Sequence, residues 1–162
     1  MGASKKVVLI GHFGVGKSSL VRRFVHAEFS DNYLTTIGVK VDKKVVLHEG
    51  QEVSLLIWDI AGESSVTKVP ESYKLGSHGF IYVFDCTRPS TYQNIDSEIA
   101  SLKEMSLDVP IVVVGNKTDL LNENEQDLLN AEVRFDEVLL TSAKSGDGVD
   151  EMFLNLTAKM LQ

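Results

Sequence analysis

The sequence predicts a single α/β domain over residues 1–162, with a six-stranded, mainly parallel sheet, helices on both faces and one antiparallel edge strand. Three observations carry that expectation. Short, continuous apolar runs such as Phe80–Phe84 and Ile111–Gly115 read as strands covered on both faces. Segments with apolar residues at helical spacing lie between such runs, as crossovers between parallel strands require. One pair of runs is instead joined at His48-Glu49-Gly50-Gln51, a tight-turn signal that reads as a hairpin.

Taken in order, Lys5 to Ile10 reads as a buried strand, and Ser18 to about His26 as a helix carrying Leu20, Val21, Phe24 and Val25. Val39 to Leu47 and Glu52 to Trp58 are the two hairpin strands. Pro70 is expected to interrupt any helix in its segment, because it lacks an N–H and clashes with the preceding turn. Phe80 to Phe84 is the next strand. Tyr92 to Met105 places Ile95, Ile99, Leu102 and Met105 at helical spacing, with Ser90 as the expected cap. Ile111 to Gly115 and Val138 to Leu140 are the last two strands. Val149, Met152, Phe153, Leu156 and Met160 then form the core stripe of a closing helix. No repeat, low-complexity segment or linker divides the chain.

Composition narrows the function. At 43% hydrophobic and 24% charged, the chain can build a real core. Its net charge of −7, without a block of Lys or Arg, argues against nucleic acid or an acidic membrane as partner. The single cysteine, Cys86, ends an apolar run; it suits a reducing cytoplasm and reads as a small buried side chain. No apolar run reaches the length of a membrane helix, and Met1 to Lys6 lacks the apolar core of a signal peptide. That start half-matches a myristoylation signal but has Lys6 where Ser or Thr is needed. Ala158 to Gln162 offers neither a cysteine to prenylate nor a basic tail. The expectation is a soluble, cytoplasmic monomer with no membrane anchor in this chain.

The octapeptide Gly11-His12-Phe13-Gly14-Val15-Gly16-Lys17-Ser18 fits G-x-x-x-x-G-K-[ST] between the first strand and the first helix. Its four fixed positions arise by chance in roughly one chain of this length in a hundred, and the strand–turn–helix setting makes chance a poorer account still. Such a turn aims successive N–H groups, here those of Gly14, Val15, Gly16, Lys17, Ser18 and Ser19, at one point, where the helix N-terminus adds its partial positive charge. Lys17 would reach the β- and γ-phosphates, and the Ser18 hydroxyl would be a magnesium ligand.

The strand Ile111 to Val114 runs into Gly115-Asn116-Lys117-Thr118-Asp119, which chooses the base. The Asp119 carboxylate can accept two parallel hydrogen bonds from the ring N–H and exocyclic amino group of guanine. Adenine offers neither, which would leave a covered carboxylate unpaired at a cost of several kcal/mol. Asn116 can bond the base and tie this loop to the phosphate loop, and the Lys117 stem can lie along the base plane. Thr141-Ser142-Ala143-Lys144 follows the last strand and could present the Ala143 N–H to the guanine oxygen.

With these motifs in this order along essentially the whole chain, the protein resembles a small GTPase of the Ras superfamily, and within it the Rab-like branch. The Rab-like signs are Tyr33-Leu34-Thr35-Thr36-Ile37-Gly38 and Trp58-Asp59-Ile60-Ala61-Gly62-Glu63. The resemblance implies a P-loop GTPase domain that binds GTP or GDP with Mg2+. It implies that Phe29 packs on guanine, Tyr33 closes over the phosphates, and Thr36 joins Ser18 as a protein ligand to magnesium. It implies that Asp59 holds the ion through water and that the Gly62 N–H meets the γ-phosphate. Ser142, Ala143 and Lys144 complete the base site. The catalytic set it implies is Lys17, Thr36, Gly62 and Glu63. Effectors, exchange factors and activators would dock on switch regions 29–38 and 59–75. Since Thr36 and Gly62 touch only the terminal phosphate, hydrolysis would release both segments.

Two positions depart from the family pattern. Glu63 stands where the family has the Gln that orients the attacking water; an ionised carboxylate cannot donate to the transferring phosphoryl and adds charge to an anionic centre. Phe13 replaces a small residue beside the path of an activator's arginine finger, and no Arg lies between Glu28 and Gly38 to act from within the chain. Slow intrinsic hydrolysis is therefore expected. The alternative is a regulatory module that binds GTP with little or no turnover. A nucleotide-phosphorylating kinase, a third reading, is opposed by Asn116-Lys117-Thr118-Asp119 and by the lack of an Arg-rich lid. The missing C-terminal cysteine tail leaves three origins open: a trimmed chain, one domain of a longer protein, or a lineage without prenylation, such as a prokaryotic one.

Overall fold

The structure, a computed structural model, describes residues 2–30, 38–61, 69–105, 108–133 and 138–162. Strand β1 (Ala3–Ile10) leads into helix α1 (Lys17–His26), followed by the strands β2 (Val39–His48) and β3 (Gln51–Ile60). The short helix α2 (Glu71–Lys74) precedes β4 (Gly79–Asp85) and α3 (Ile95–Met105). The chain closes with β5 (Ile111–Asn116), α4 (Glu123–Glu132), β6 (Val138–Leu140) and α5 (Val149–Met160).

The six strands lie in the order β2-β3-β1-β4-β5-β6. Among the described residues, only the β2–β3 pair is antiparallel; β1 pairs in parallel with β3 and β4, β4 with β5, and β5 with β6. The strand order therefore reverses at β1. Connections leave the carboxyl ends of β1 and its neighbours in opposite directions, and the crevice this creates is where such sheets hold ligands.

Alternation along the strands divides the core in two. On one face Val7 and Leu9 of β1 pack with Ile81, Val83, Leu20, Phe24, Met152 and Phe153, under α1 and α5. The rings of Phe24 and Phe153 stack there at 4.0 Å. On the other face Val8 and Ile10 pack with Phe80, Tyr82, Ile99, Leu102 and Leu129, under α3 and α4. β4 serves both cores, so every residue of it is buried, as its unbroken apolar run predicted. The hairpin turns through Glu49 and Gly50, both at positive φ (50° and 80°), the conformation of a type I′ turn and the reason for glycine there.

Two local expectations are corrected. Helix α3 starts at Ile95 rather than Tyr92, and Ser90 does not cap it. Ser90 lies inside a 3-10 turn, Pro89–Thr91, fixed by Thr91, whose Oγ1 accepts from the Asp85 N–H at 2.9 Å and donates to the Arg88 carbonyl at 2.7 Å. Pro70 stands immediately before α2, and no helix runs through it, in keeping with its missing N–H, which costs nothing at a helix start. Helix α4 is one that the apolar pattern of the sequence does not announce. A capping box opens it, with the Glu125 N–H donating to Asn122 Oδ1 at 2.8 Å and the Asn122 N–H to Glu125 Oε1 at 3.2 Å.

Cys86 is buried and free, as expected, and burial, with Asp85 beside it, pushes its thiol up to about 12. Among the described residues, no helix is long and apolar enough to cross a membrane.

Candidate nucleotide site

The glycine-rich loop sits between the carboxyl end of β1 and α1, whose first residue is Lys17. Gly16 has φ 100°, and a Cβ there would stand 2.3 Å from Asn116 Nδ2, so both the backbone and the close approach demand glycine. Lys17 is buried, and its ammonium donates back to the Gly11 carbonyl at 3.2 Å. The Gly11 carbonyl oxygen faces that buried cation, and phosphate oxygens would serve it in the same way.

The outer side of the loop is held by three donors. Asn116 Nδ2 donates to the Val15 carbonyl at 3.0 Å, Lys117 Nζ to the Gly14 carbonyl at 2.9 Å, and Arg88 Nη2 to the Phe13 carbonyl at 2.9 Å. Behind them stands Asp85, buried at the end of β4, with Oδ2 2.9 Å from the Lys117 ammonium. Its Oδ1 accepts from the Thr87 N–H at 2.8 Å and from Thr87 Oγ1 at 2.6 Å.

Asp59, next to last in β3, is buried beside the loop, where the register pairs it with Leu9 of β1. The Ser18 hydroxyl donates to Asp59 Oδ2. A hydroxyl and a carboxylate converging at the mouth of a phosphate loop form a hard-oxygen donor set, which fits magnesium. The third expected ligand, Thr36, lies outside the described residues, as do Tyr33, Gly62 and Glu63.

The base-side residues meet around Asn116, which is buried. Its Oδ1 accepts from Thr141 Oγ1 at 3.1 Å and from the Ala143 N–H at 3.3 Å, so one amide links the phosphate loop, the end of β5 and the 141–144 loop. Lys117 adopts a left-handed backbone, φ 70°, which turns the chain sharply after β5. Asp119 Oδ1 accepts from Ser142 Oγ at 2.7 Å, and Ser142 Oγ accepts from the Ser145 N–H at 3.0 Å. Asp119 is itself exposed, so the discrimination expected of it depends on the base covering it. Arg23 of α1 clamps the same loop from behind, donating from Nε to the Ala143 carbonyl at 2.8 Å and from Nη2 to the Lys144 carbonyl. Phe29 is exposed, Lys144 projects into solvent, and Ser19 is half-buried in the first turn of α1.

Sequence reasoning missed Arg23, Asp85 and Arg88. For Asp85 a signal existed: a carboxylate that ends a buried strand next to the strand leading into Asn116 needs a cation, and Lys117 is at hand. Arg23 and Arg88 carry no local signal, because only the folded chain brings them to the site.

Comparison with known proteins places this geometry. The model of the Ras family matches residues 6–162. Ras-related protein Rab-4 of Dictyostelium discoideum is 39% identical over 161 residues, covering 96% of this chain and 78% of the relative. Ras-related protein RABD2b of Arabidopsis thaliana is 35% identical over 94% of this chain and 78% of its own length. Ras-related protein Rab-1D of Dictyostelium discoideum is 35% identical, covering 93% and 76%. A phosphate loop at the end of β1, a Ser18–Asp59 pair and an Asn116–Asp119 base loop, arranged on one doubly wound sheet that the family model spans almost end to end, identify the chain as a member of the Ras family of small GTPases, in its Rab-like branch.

Proposed function

We propose that this GTP-binding switch hydrolyses GTP to GDP and phosphate, and does so slowly on its own. The observation that carries the reading is the convergence of buried Lys17, the Ser18–Asp59 pair and the Asn116–Ser142–Asp119 cluster along one crevice at the carboxyl ends of β1, β3 and β5. Lys17 and the N–H groups from Gly14 to Ser19 hold the β- and γ-phosphates in line for attack. Ser18, Asp59 and Thr36 are the residues that would hold magnesium, which when bound neutralises charge developing on the phosphoryl oxygens. Asp119, with Ala143, Asn116 and the Lys117 stem, orients the guanine; Phe29, Tyr33, Ser142 and Lys144 complete its surroundings. Thr36 and Gly62 report the terminal phosphate to partners through regions 29–38 and 59–75. Effectors, exchange factors and activators read those regions, and the switch itself acts as a monomer.

Glu63 and Phe13 set the rate. If the protonated acid replaces the family's amide, single-turnover hydrolysis accelerates as pH falls; if the carboxylate acts as base, it accelerates as pH rises. A profile that is flat, or unchanged by Glu63→Gln, would remove Glu63 from the reaction. The Phe13 ring, 56% exposed at the rim of the loop, supports the expectation that an arginine-finger activator is obstructed. A Rab-type activating protein should stimulate Phe13→Gly far more than the unchanged protein, and equal stimulation overturns the point.

The same two residues favour a second reading, a module that keeps GTP and scarcely turns it over. Nucleotide extracted from the purified protein, followed over a single turnover, separates the two: conversion to GDP supports the enzyme, and persistent GTP supports the module. Phosphoryl transfer to a nucleoside monophosphate would revive the kinase reading.

A further inference from the structure

Arg88 lies outside every motif, just past the end of β4, yet it reaches the phosphate loop. Its Nη2 donates to the Phe13 carbonyl at 2.9 Å, and its Nη1 lies 3.8 Å from Asp85 Oδ2. Lys117 makes the neighbouring contact on Gly14 from the same Asp85 oxygen, and Asn116 the next one on Val15. Three successive loop carbonyls, of residues 13, 14 and 15, are thus each held by a side chain from the β4–β5 side of the site.

The arrangement has a direct geometric effect. In a trans peptide unit the carbonyl and the following N–H point in opposite directions, and the described chain has no cis peptide. Holding the carbonyls of Phe13, Gly14 and Val15 from outside therefore turns the N–H groups of Gly14, Val15 and Gly16 away from those donors. The Val15 N–H makes a long 3.4 Å contact to the His12 carbonyl, weak enough to yield to a phosphate oxygen. Lys117 and Asn116 belong to the base loop, so their double duty follows from where that loop sits. Arg88 belongs to neither motif. A charged donor on a carbonyl also polarises its peptide unit, which makes the opposite N–H a stronger donor.

We propose that Arg88 is a positioning residue for the bound nucleotide: through the Phe13 carbonyl it aims and strengthens the Gly14 N–H as a phosphate donor, with buried Asp85 anchoring Arg88 and Lys117 together. The proposal rests on the loop being a GTP and GDP site. It gives this chain an arginine at the phosphate loop from an element unrelated to the switches, where it acts on nucleotide retention and not on the chemical step. Its side chain is 43% exposed, so removing it takes away a bond without opening the core.

Dissociation of a fluorescent GDP from the full chain, with magnesium present, tests this. Arg88→Ala should release it about tenfold faster than the unchanged protein, as expected for loss of a bond that orients a ligand-holding group. Arg88→Lys should restore most of the retention, and Arg88→Gln, which keeps a donor but no charge, should fall between. The melting temperature of nucleotide-free protein should be the same for all four, since a purely structural role would move it. Failure of the unchanged protein to bind GDP overturns the site reading and this proposal together. Tight binding by the unchanged protein with equal release from Arg88→Ala overturns this proposal alone. So does a drop in single-turnover hydrolysis with release unchanged, because that would place Arg88 in the chemistry.

Discussion

Ser142 holds the Asp119 carboxylate in place, and under the proposed function that carboxylate is what tells one purine from another. Inosine nucleotides lack the exocyclic amino group and so forfeit one of the two hydrogen bonds that Asp119 can accept from guanine. A hydrogen bond to a charged acceptor is worth about 1.5–3 kcal/mol, so GDP should bind roughly tenfold or more tighter than inosine diphosphate. Asp119→Ala should bring the two within about twofold of each other, since neither base then has the acceptor. Competition against a fluorescent nucleotide measures both ratios, and a preference that survives Asp119→Ala would locate base recognition elsewhere. At this scale legibility followed the motifs. Lys17, Ser18, Asn116 and Asp119 stand out in the sequence because the chemistry expected of them fixes their type and spacing, and the fold brings them to one end of the sheet. Arg23, Asp85 and Arg88 do not stand out, because a guanidinium on a helix face or past a strand looks like any surface arginine until the fold supplies its carbonyl.

Helix α4 shows what decides legibility one level up. Its capping box is written in the sequence as Asn122 and Glu125, yet its apolar pattern is weak: Leu129 faces the core while Leu128 is exposed. The periodicity that reveals α1 and α5 is absent where a helix turns so little apolar surface inward. The capping box matters more to such a helix, which has little packing to rely on. Asn122→Ala should lower stability by about 1 kcal/mol, seen as a lower denaturant midpoint at unchanged slope. An unchanged midpoint would mean that α4 is held by its neighbours alone. Strands were easier to read than helix starts, because an apolar run ends where burial ends. The start of α3 depends on Thr91, whose bonds to Asp85 and Arg88 hold the preceding residues in a different turn. Regions 31–37 and 62–68, with Tyr33, Thr36, Gly62 and Glu63, lie outside the described residues, so their roles rest on the resemblance.

The whole molecule is two cores joined at one sheet, and two weak acids are sealed into the face that carries α3. Burial first, then the hydrogen bond to Glu98 and that carboxylate's charge, raise the Tyr82 phenol well above its ordinary value. The Cys86 thiol is pushed up to about 12. Folded values above unfolded ones mean that the stabilisation is complete below the ordinary range and is lost as pH rises. Stability should therefore fall from about pH 9 upward, the range in which the unfolded thiol and phenol ionise, and Tyr82→Phe with Cys86→Ala should flatten that fall. A decline of equal slope in the double variant would assign it to other groups. The amide of Asn116 carries a different consequence. It bonds Val15, 101 positions earlier, and Thr141, 25 positions later, while Arg23 bonds Ala143 across 120 positions. The phosphate-loop motif spans residues 11–18, but residues that fix its shape, Asn116 and Lys117, lie about a hundred positions later. Without β5 and the 141–144 segment, the phosphate motif would lack the Asn116 and Lys117 bonds that hold its Val15 and Gly14 carbonyls. The shape of the phosphate loop is thereby set by residues about a hundred positions away, so a change in the 116 or 141–144 loops acts on it as directly as a change in the loop itself.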